Sequence, residues 1–136
     1  MNALSQSSLI AIIGAGAMGA GIAQVAAQAG HPVLLFDVRE GAAREAIDGI
    51  GRNLEKLVAR GRLDTAQAQR MLESLREIDS LEALADADLV IEAIIEDVTA
   101  KRELFLALEK HVRPDALLAT NTSSVSVTAI AAPLQY

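Results

Sequence analysis

Short apolar runs alternate with longer amphipathic stretches along almost the whole chain. Leu9 and Ala11-Ile12-Ile13 read as a buried strand, after which Met18, Ile22, Val25, Ala26 and Ala29 recur at helical spacing. Gly30 closes that helix, because glycine adopts left-handed geometry at little cost. A second apolar run, Val33-Leu34-Leu35-Phe36, ends at Asp37. Ala43, Ala46, Ile47, Ile50, Leu54, Leu57 and Val58 form one stripe of a longer helix, weakened by Gly49 and Gly51 and stopped at Gly61. Asp64 with Gln67 predicts a capping box and a helix to about Leu75; Ile78 falls in a short strand and Ser80 caps a short helical turn. Leu89-Val90-Ile91 with Ala93-Ile94 is a third clear strand, interrupted by Glu92 and closed by Glu96 and Asp97. Lys101, Leu104, Phe105, Leu108 and Val112 then keep helical spacing as far as Pro114, and Leu117-Leu118-Ala119 is the next strand.

Strands that are apolar on both faces need cover on both faces, and the helices between them supply it. The pattern therefore predicts an α/β fold, a doubly wound parallel sheet with right-handed crossovers. A length of 136 residues fits one domain over 1–136. Aromatic residues make up only 2%, so the core must be aliphatic. The absence of cysteine excludes disulfides, thiolate metal sites and a cysteine nucleophile, and suits a reducing compartment. A net charge of -6 argues against nucleic-acid binding, which needs basic surface. No apolar stretch reaches membrane-spanning length, and Met1 to Ser8 lack the layout of a secretory signal or transit peptide, so a cytoplasmic protein is expected.

The candidate chemistry begins at the first turn. "IAIIGAGAMGAGIA" sets Gly14, Gly16 and Gly19 in G-x-G-x-x-G spacing directly after a strand and at the opening of a helix, the context of a Rossmann dinucleotide turn. Gly14 permits the tight turn, Gly16 lets backbone approach a pyrophosphate, and Gly19 lets helix and strand pack closely. Asp37 closes the second strand, near the position roughly 20 residues on where an acid hydrogen bonds a cofactor ribose. A carboxylate there favours NAD over NADP; Arg39 weakens that preference, since arginine accommodates a 2′-phosphate.

Further polar residues sit beyond the strand ends, where ligands bind in such sheets. Glu96 and Lys101 flank the start of a helix, either as cofactor contacts or as an exposed charge pair of little worth. Arg52, Lys56 and Arg60 recur every four residues with Arg62 after them, a basic stripe that either holds an anionic handle or is a solvated helix face. Thr120-Asn121-Thr122-Ser123 end a strand either as an ordinary turn or as ligand contacts. His31, in a turn before Pro32, and His111, near a helix C-terminus, have no sequence partner suggesting a base or metal ligand and read as structural.

Taken in order, "GAGAMGAGIA", "DLVIEAIIEDVTAKRELFLALE" and "ATNTSSVSVTAIA" resemble the nucleotide-binding domain of the L-3-hydroxyacyl-CoA dehydrogenases, and the resemblance runs from about Ser8 to Leu134. It implies oxidation of an L-3-hydroxyacyl-CoA to the 3-ketoacyl-CoA with hydride transfer to NAD. It further implies that residues 14–19 (Gly14, Gly16, Ala17, Met18 and Gly19 among them) bind the pyrophosphate and that Asp37 binds the adenosine ribose. By the same resemblance Glu96 and Lys101 contact the cofactor, and Asn121 and Ser123 form a polar pair near the nicotinamide, with Ser123 on the substrate's 3-oxygen. Asn53, Lys56 and Arg60 fall where the coenzyme A moiety is held.

In that family a histidine beyond the serine is the general base, paired with a glutamate, and a helical domain completes the substrate pocket and the dimer interface. None of these lies within residues 1–136, so the resemblance implies an N-terminal domain of a longer homodimeric enzyme, binding NAD but turning over acyl-CoA negligibly alone. Missing final strands would leave a bare sheet edge, from which self-association or fraying near residues 125–136 is expected. Two other readings stay open: a different beta-hydroxyacid dehydrogenase, such as the 6-phosphogluconate type, and an NAD-sensing module without catalysis.

Overall fold

A computed structural model describes Ser5 and residues 7–121 of the chain. Five strands build one parallel sheet: β1 (Ile10–Ile13), β2 (Val33–Phe36), β3 (Leu75–Glu77), β4 (Leu89–Glu92) and β5 (Leu117–Thr120), in spatial order β3-β2-β1-β4-β5. Four α-helices connect them: α1 (Ala17–Gln28), α2 (Ala42–Ala59), α3 (Thr65–Glu73) and α4 (Val98–His111), with a 3₁₀ turn at Leu81–Leu84. The order reverses at β1, so the carboxyl ends of β1 and β4 flank the crevice in which a doubly wound sheet binds ligands. Register is continuous across the middle, with Ile12 opposite both Leu35 and Ile91.

Each face of the sheet carries its own core. On one, Ile10, Ile12, Val33 and Leu35 pack against Ala23, Ala27, Ile47, Ile50 and Leu54 of α1 and α2. On the other, Ala11, Ile13, Leu34 and Val90 pack against Leu84, Phe105 and Leu108. This is why the strands are apolar at consecutive positions. In α2 the same logic outweighs local propensity. Gly49 and Gly51 each cost about 1 kcal/mol relative to alanine, whereas burying Ile47, Ile50 and Leu54 contributes about 1.5–3 kcal/mol apiece. The capping box of α3 is present in full: Asp64 Oδ1 accepts from Gln67 N at 2.7 Å, and Gln67 Oε1 from Asp64 N at 3.0 Å.

Two elements depart from the pattern reading. The helix expected to reach Leu75 ends at Glu73, and the short strand placed around Ile78 is β3 at Leu75–Glu77. As an edge strand β3 buries only Leu75 and leaves Arg76 and Glu77 exposed, which gives it no alternation to read. Glu92 does not interrupt the third clear strand but ends it, fully buried, while Ala93 and Ile94 lie beyond the strand.

The amino edge of the sheet is tied by Asp88. Its Oδ2 accepts from Leu9 N at 2.8 Å and its Oδ1 from Arg113 at 2.5 Å. The Leu9 amide, and then Arg113, hold the Asp88 carboxyl below its usual value. A depressed carboxyl stabilises the fold above the unfolded pKa and loses that contribution as pH falls through the folded one. Asp88→Asn should therefore be less stable than the parent at pH 7, with the gap closing as pH falls below about 4. Urea melts at neutral and acid pH read this directly; a gap that does not change with pH would count against it.

Candidate functional site

The loop between β1 and α1 lies at the switch point. Gly14 has φ +110°, and a Cβ there would overlap the carbonyl of Ala93, lying 2.7 Å from its carbon. At Gly19 a Cβ would overlap the Gly14 carbonyl, 2.8 Å from its carbon. Both glycines are thus demanded by backbone packing. Gly16 differs: its φ of -74° and ψ of -170° are open to any residue, and nothing lies within 4 Å of its missing Cβ. The space Gly16 leaves is free for a ligand. No side chain caps α1 and no acid occupies its first turn, so the first amides of the helix are left without a side-chain acceptor beside that space.

Asp37 follows β2 on the same edge. Its Oδ2 accepts from Ala15 N and its Oδ1 from Arg39 N, each at 2.8 Å. These amides fix the carboxylate beside the glycine turn, and each oxygen retains a lone pair for a further donor. Gly14, Gly16, Asp37, Val38, Arg39 and Ile95 help line a groove of about 690 Å³. Val38 and Ile95 are 91% and 72% exposed, so two large apolar side chains stand unburied at its walls. The turn, the uncapped helix and the oriented acid fit a dinucleotide: phosphate at the helix, ribose hydroxyls at the acid, base between apolar walls.

A second groove, about 600 Å³, runs between α1 and α2 and shares Gly16 with the first. Ala17, Gln24, Arg52, Asn53 and Lys56 line it. Asn53 Nδ2 reaches Gln24 Oε1 at 3.5 Å. Arg60 is the C-cap of α2 and lies beyond this lining, so the groove takes Arg52 and Lys56 from the basic stripe but not Arg60. Met18, beside Ala17 in the first turn of α1, is 60% exposed.

At the carboxyl ends of β4 and β5 the arrangement is one the spacing did not foretell. Glu96 and Lys101 do pair, at 3.3 Å, but not as an exposed couple: Lys101 is fully buried and is held more closely by Glu92. Lys101 Nζ donates to both Glu92 oxygens, at 2.7 and 2.6 Å. Glu92 Oε2 also accepts from Ile94 N at 2.8 Å, and Thr120 Oγ1 donates to Oε1. Asn121 is exposed at the end of β5, its N–H donating to the Glu92 carbonyl at 2.8 Å. Ser123 lies outside the described residues. The sequence signal for Glu92 was available in principle: a carboxylate inside an apolar strand demands a buried cation.

Residues 9–136 match the family model described as "3-hydroxyacyl-CoA dehydrogenase, NAD binding domain". The chain belongs to that family. This NAD-binding domain is 49% identical to the 3-hydroxyadipyl-CoA dehydrogenase of Escherichia coli K12 over 93% of its length and 26% of the relative's. It is 40% identical to the 3-hydroxybutyryl-CoA dehydrogenase of Clostridioides difficile, over 90% and 43% respectively. The crystal structure of a 3-hydroxybutyryl-CoA dehydrogenase from E. coli K12 superposes with a TM-score of 0.90 at 49% identity, covering 93% of this chain and 27% of that one. The domain thus spans less than half the length of the relatives it matches. Among the described residues no helix is long and apolar enough to cross a membrane.

Proposed function

We propose that this domain is the cofactor-binding part of an enzyme that oxidises L-3-hydroxyacyl-CoA to 3-ketoacyl-CoA, acting in its complete form as a homodimer. The observation that carries the reading is the glycine turn beneath the uncapped α1, with Asp37 locked beside it by Ala15 and Arg39. When bound, NAD supplies the hydride acceptor; the rest falls to side chains of this chain. Gly14, Gly16, Ala17, Met18 and Gly19 take the pyrophosphate, and Asp37 the adenosine ribose. Glu96 meets the cofactor directly, and Lys101 acts with it. Asn121 and Ser123 face the nicotinamide, Ser123 orienting the substrate's 3-oxygen. Asn53 and Lys56, with Arg52 in the same groove, hold the coenzyme A moiety, and Arg60 serves its outer end.

The step that lacks an agent is removal of the hydroxyl proton. His31 precedes β2 and His111 ends α4, which puts both at the amino edge of the sheet, opposite Asn121. A general base contributes roughly 10²–10⁴-fold, so these 136 residues alone bind cofactor and turn over acyl-CoA negligibly.

Calorimetry with NAD, NADP and acetyl-CoA tests the reading. NAD should bind at least about tenfold more tightly than NADP, a difference of about 1.4 kcal/mol, and acetyl-CoA should bind without competing for the adenosine groove. Asp37→Asn should narrow the NAD/NADP gap from both sides: NAD loses its charge-assisted ribose bonds, and NADP is freed of the charge that repels its 2′-phosphate. Absence of NAD binding by the folded parent would sink the proposal.

A further inference from the structure

Glu92 lines neither groove, yet several parts of the sheet's ligand edge are fastened to it. Both it and Lys101 are 0% exposed. One carboxylate ties four segments: it is carried by β4, accepts from Ile94 in the loop after β4, from Lys101 in α4, and from Thr120 at the end of β5. Its own carbonyl takes the Asn121 N–H. The next residue, Ala93, is the one whose carbonyl packs under Gly14, and its N–H donates to Ile13 O at 2.8 Å.

We propose that Glu92 is a positioning residue: its buried carboxylate fixes Thr120, and thereby the adjoining Asn121 whose N–H the Glu92 carbonyl holds, and, through Lys101, the half-exposed Glu96. The inference deepens the proposed function, resting on its reading of this edge as the nicotinamide side. The chemistry favours a charge here over an apolar filler. An ionised carboxylate accepts several donors at once in charge-assisted bonds. It can therefore join a backbone amide, an ammonium and a hydroxyl from three separate segments, as no aliphatic side chain could. A buried ion pair adds little net stability over well-packed apolar residues, so fixed geometry is the better account of its presence. Lys101 is shared between Glu92 and Glu96, at 2.6 and 3.3 Å, so moving one carboxylate shifts the other's counter-ion.

The test separates position from stability. Thr120→Val cuts only the hydroxyl link and leaves Glu92, Lys101 and Glu96 in place. In the ligand-free chain it should speed amide exchange at Asn121 by about tenfold, and NADH affinity should fall severalfold while the melting temperature changes little. A second variant, Glu92→Leu with Lys101→Met, removes both buried charges and should fold, since apolar replacement of a whole pair is tolerated. It too should show a displaced Asn121 resonance and weakened NADH binding. Asn121 exchange unchanged in Thr120→Val, or parent-like Asn121 resonances in the double variant, would overturn the proposal. If the folded parent binds no NADH, the cofactor reading fails instead, and Asn121 exchange still decides the positioning claim.

Discussion

Gly19→Ala is expected to lower NAD affinity by about a hundredfold, equivalent to about 2.8 kcal/mol, and to destabilise the fold by about 3 kcal/mol, the upper part of the range for overpacking. The added methyl would meet the Gly14 carbonyl, which is backbone and cannot rotate away. Relief requires α1 to lift from β1, which moves the uncapped helix start off its ligand. Gly16→Ala is the companion. Its backbone angles suit alanine and its Cβ would meet nothing, so the melting temperature should stay within a few degrees of the parent. Its affinity for NAD should nevertheless fall, because the methyl enters the space assigned to the pyrophosphate. Calorimetric titration alongside thermal melts checks both. A Gly19→Ala protein that melts like the parent, or a Gly16→Ala protein that binds like it, would refute the division of labour between the two glycines.

Lys101→Met should produce the largest loss of stability without touching the glycine turn. It leaves Glu92 buried with no cation, and breaking one half of a buried pair costs about 3–5 kcal/mol. For a domain of this size that corresponds to a fall in melting temperature on the order of 10–20 °C. Thermal unfolding followed by far-ultraviolet dichroism measures it. A shift of only a degree or two would mean that the pair is hydrated in solution, and would weaken the case for Glu92 as a fixed anchor.

The parts of this fold that could be read from the sequence are those whose cause is local or periodic. The stripe of α2 repeats for five turns, and Asp64 with Gln67 is a cap written in four residues. The glycine turn was legible because its glycines answer to steric demands within one strand–helix unit. Glu92 was misread for the opposite reason. Within its strand it looks like a fault in an apolar run, and its partners lie in the next helix and the next strand, which only tertiary structure brings together. Asp88 was likewise silent, its donors Leu9 and Arg113 being 79 and 25 residues away in the chain. Arg60 shows a limit of periodicity: spacing puts it on one face with Arg52 and Lys56 but does not say where the groove along that face ends.

The aliphatic make-up of both cores has a practical consequence for all of these measurements. Among the described residues Phe105 is the only aromatic in the buried core, and the chain has no tryptophan. The protein is therefore nearly dark in the near ultraviolet, and loss of its tertiary packing would leave little trace in intrinsic fluorescence. The same darkness removes the usual tryptophan-quenching readout of dinucleotide binding, so binding would have to be followed through the emission of the reduced dinucleotide itself.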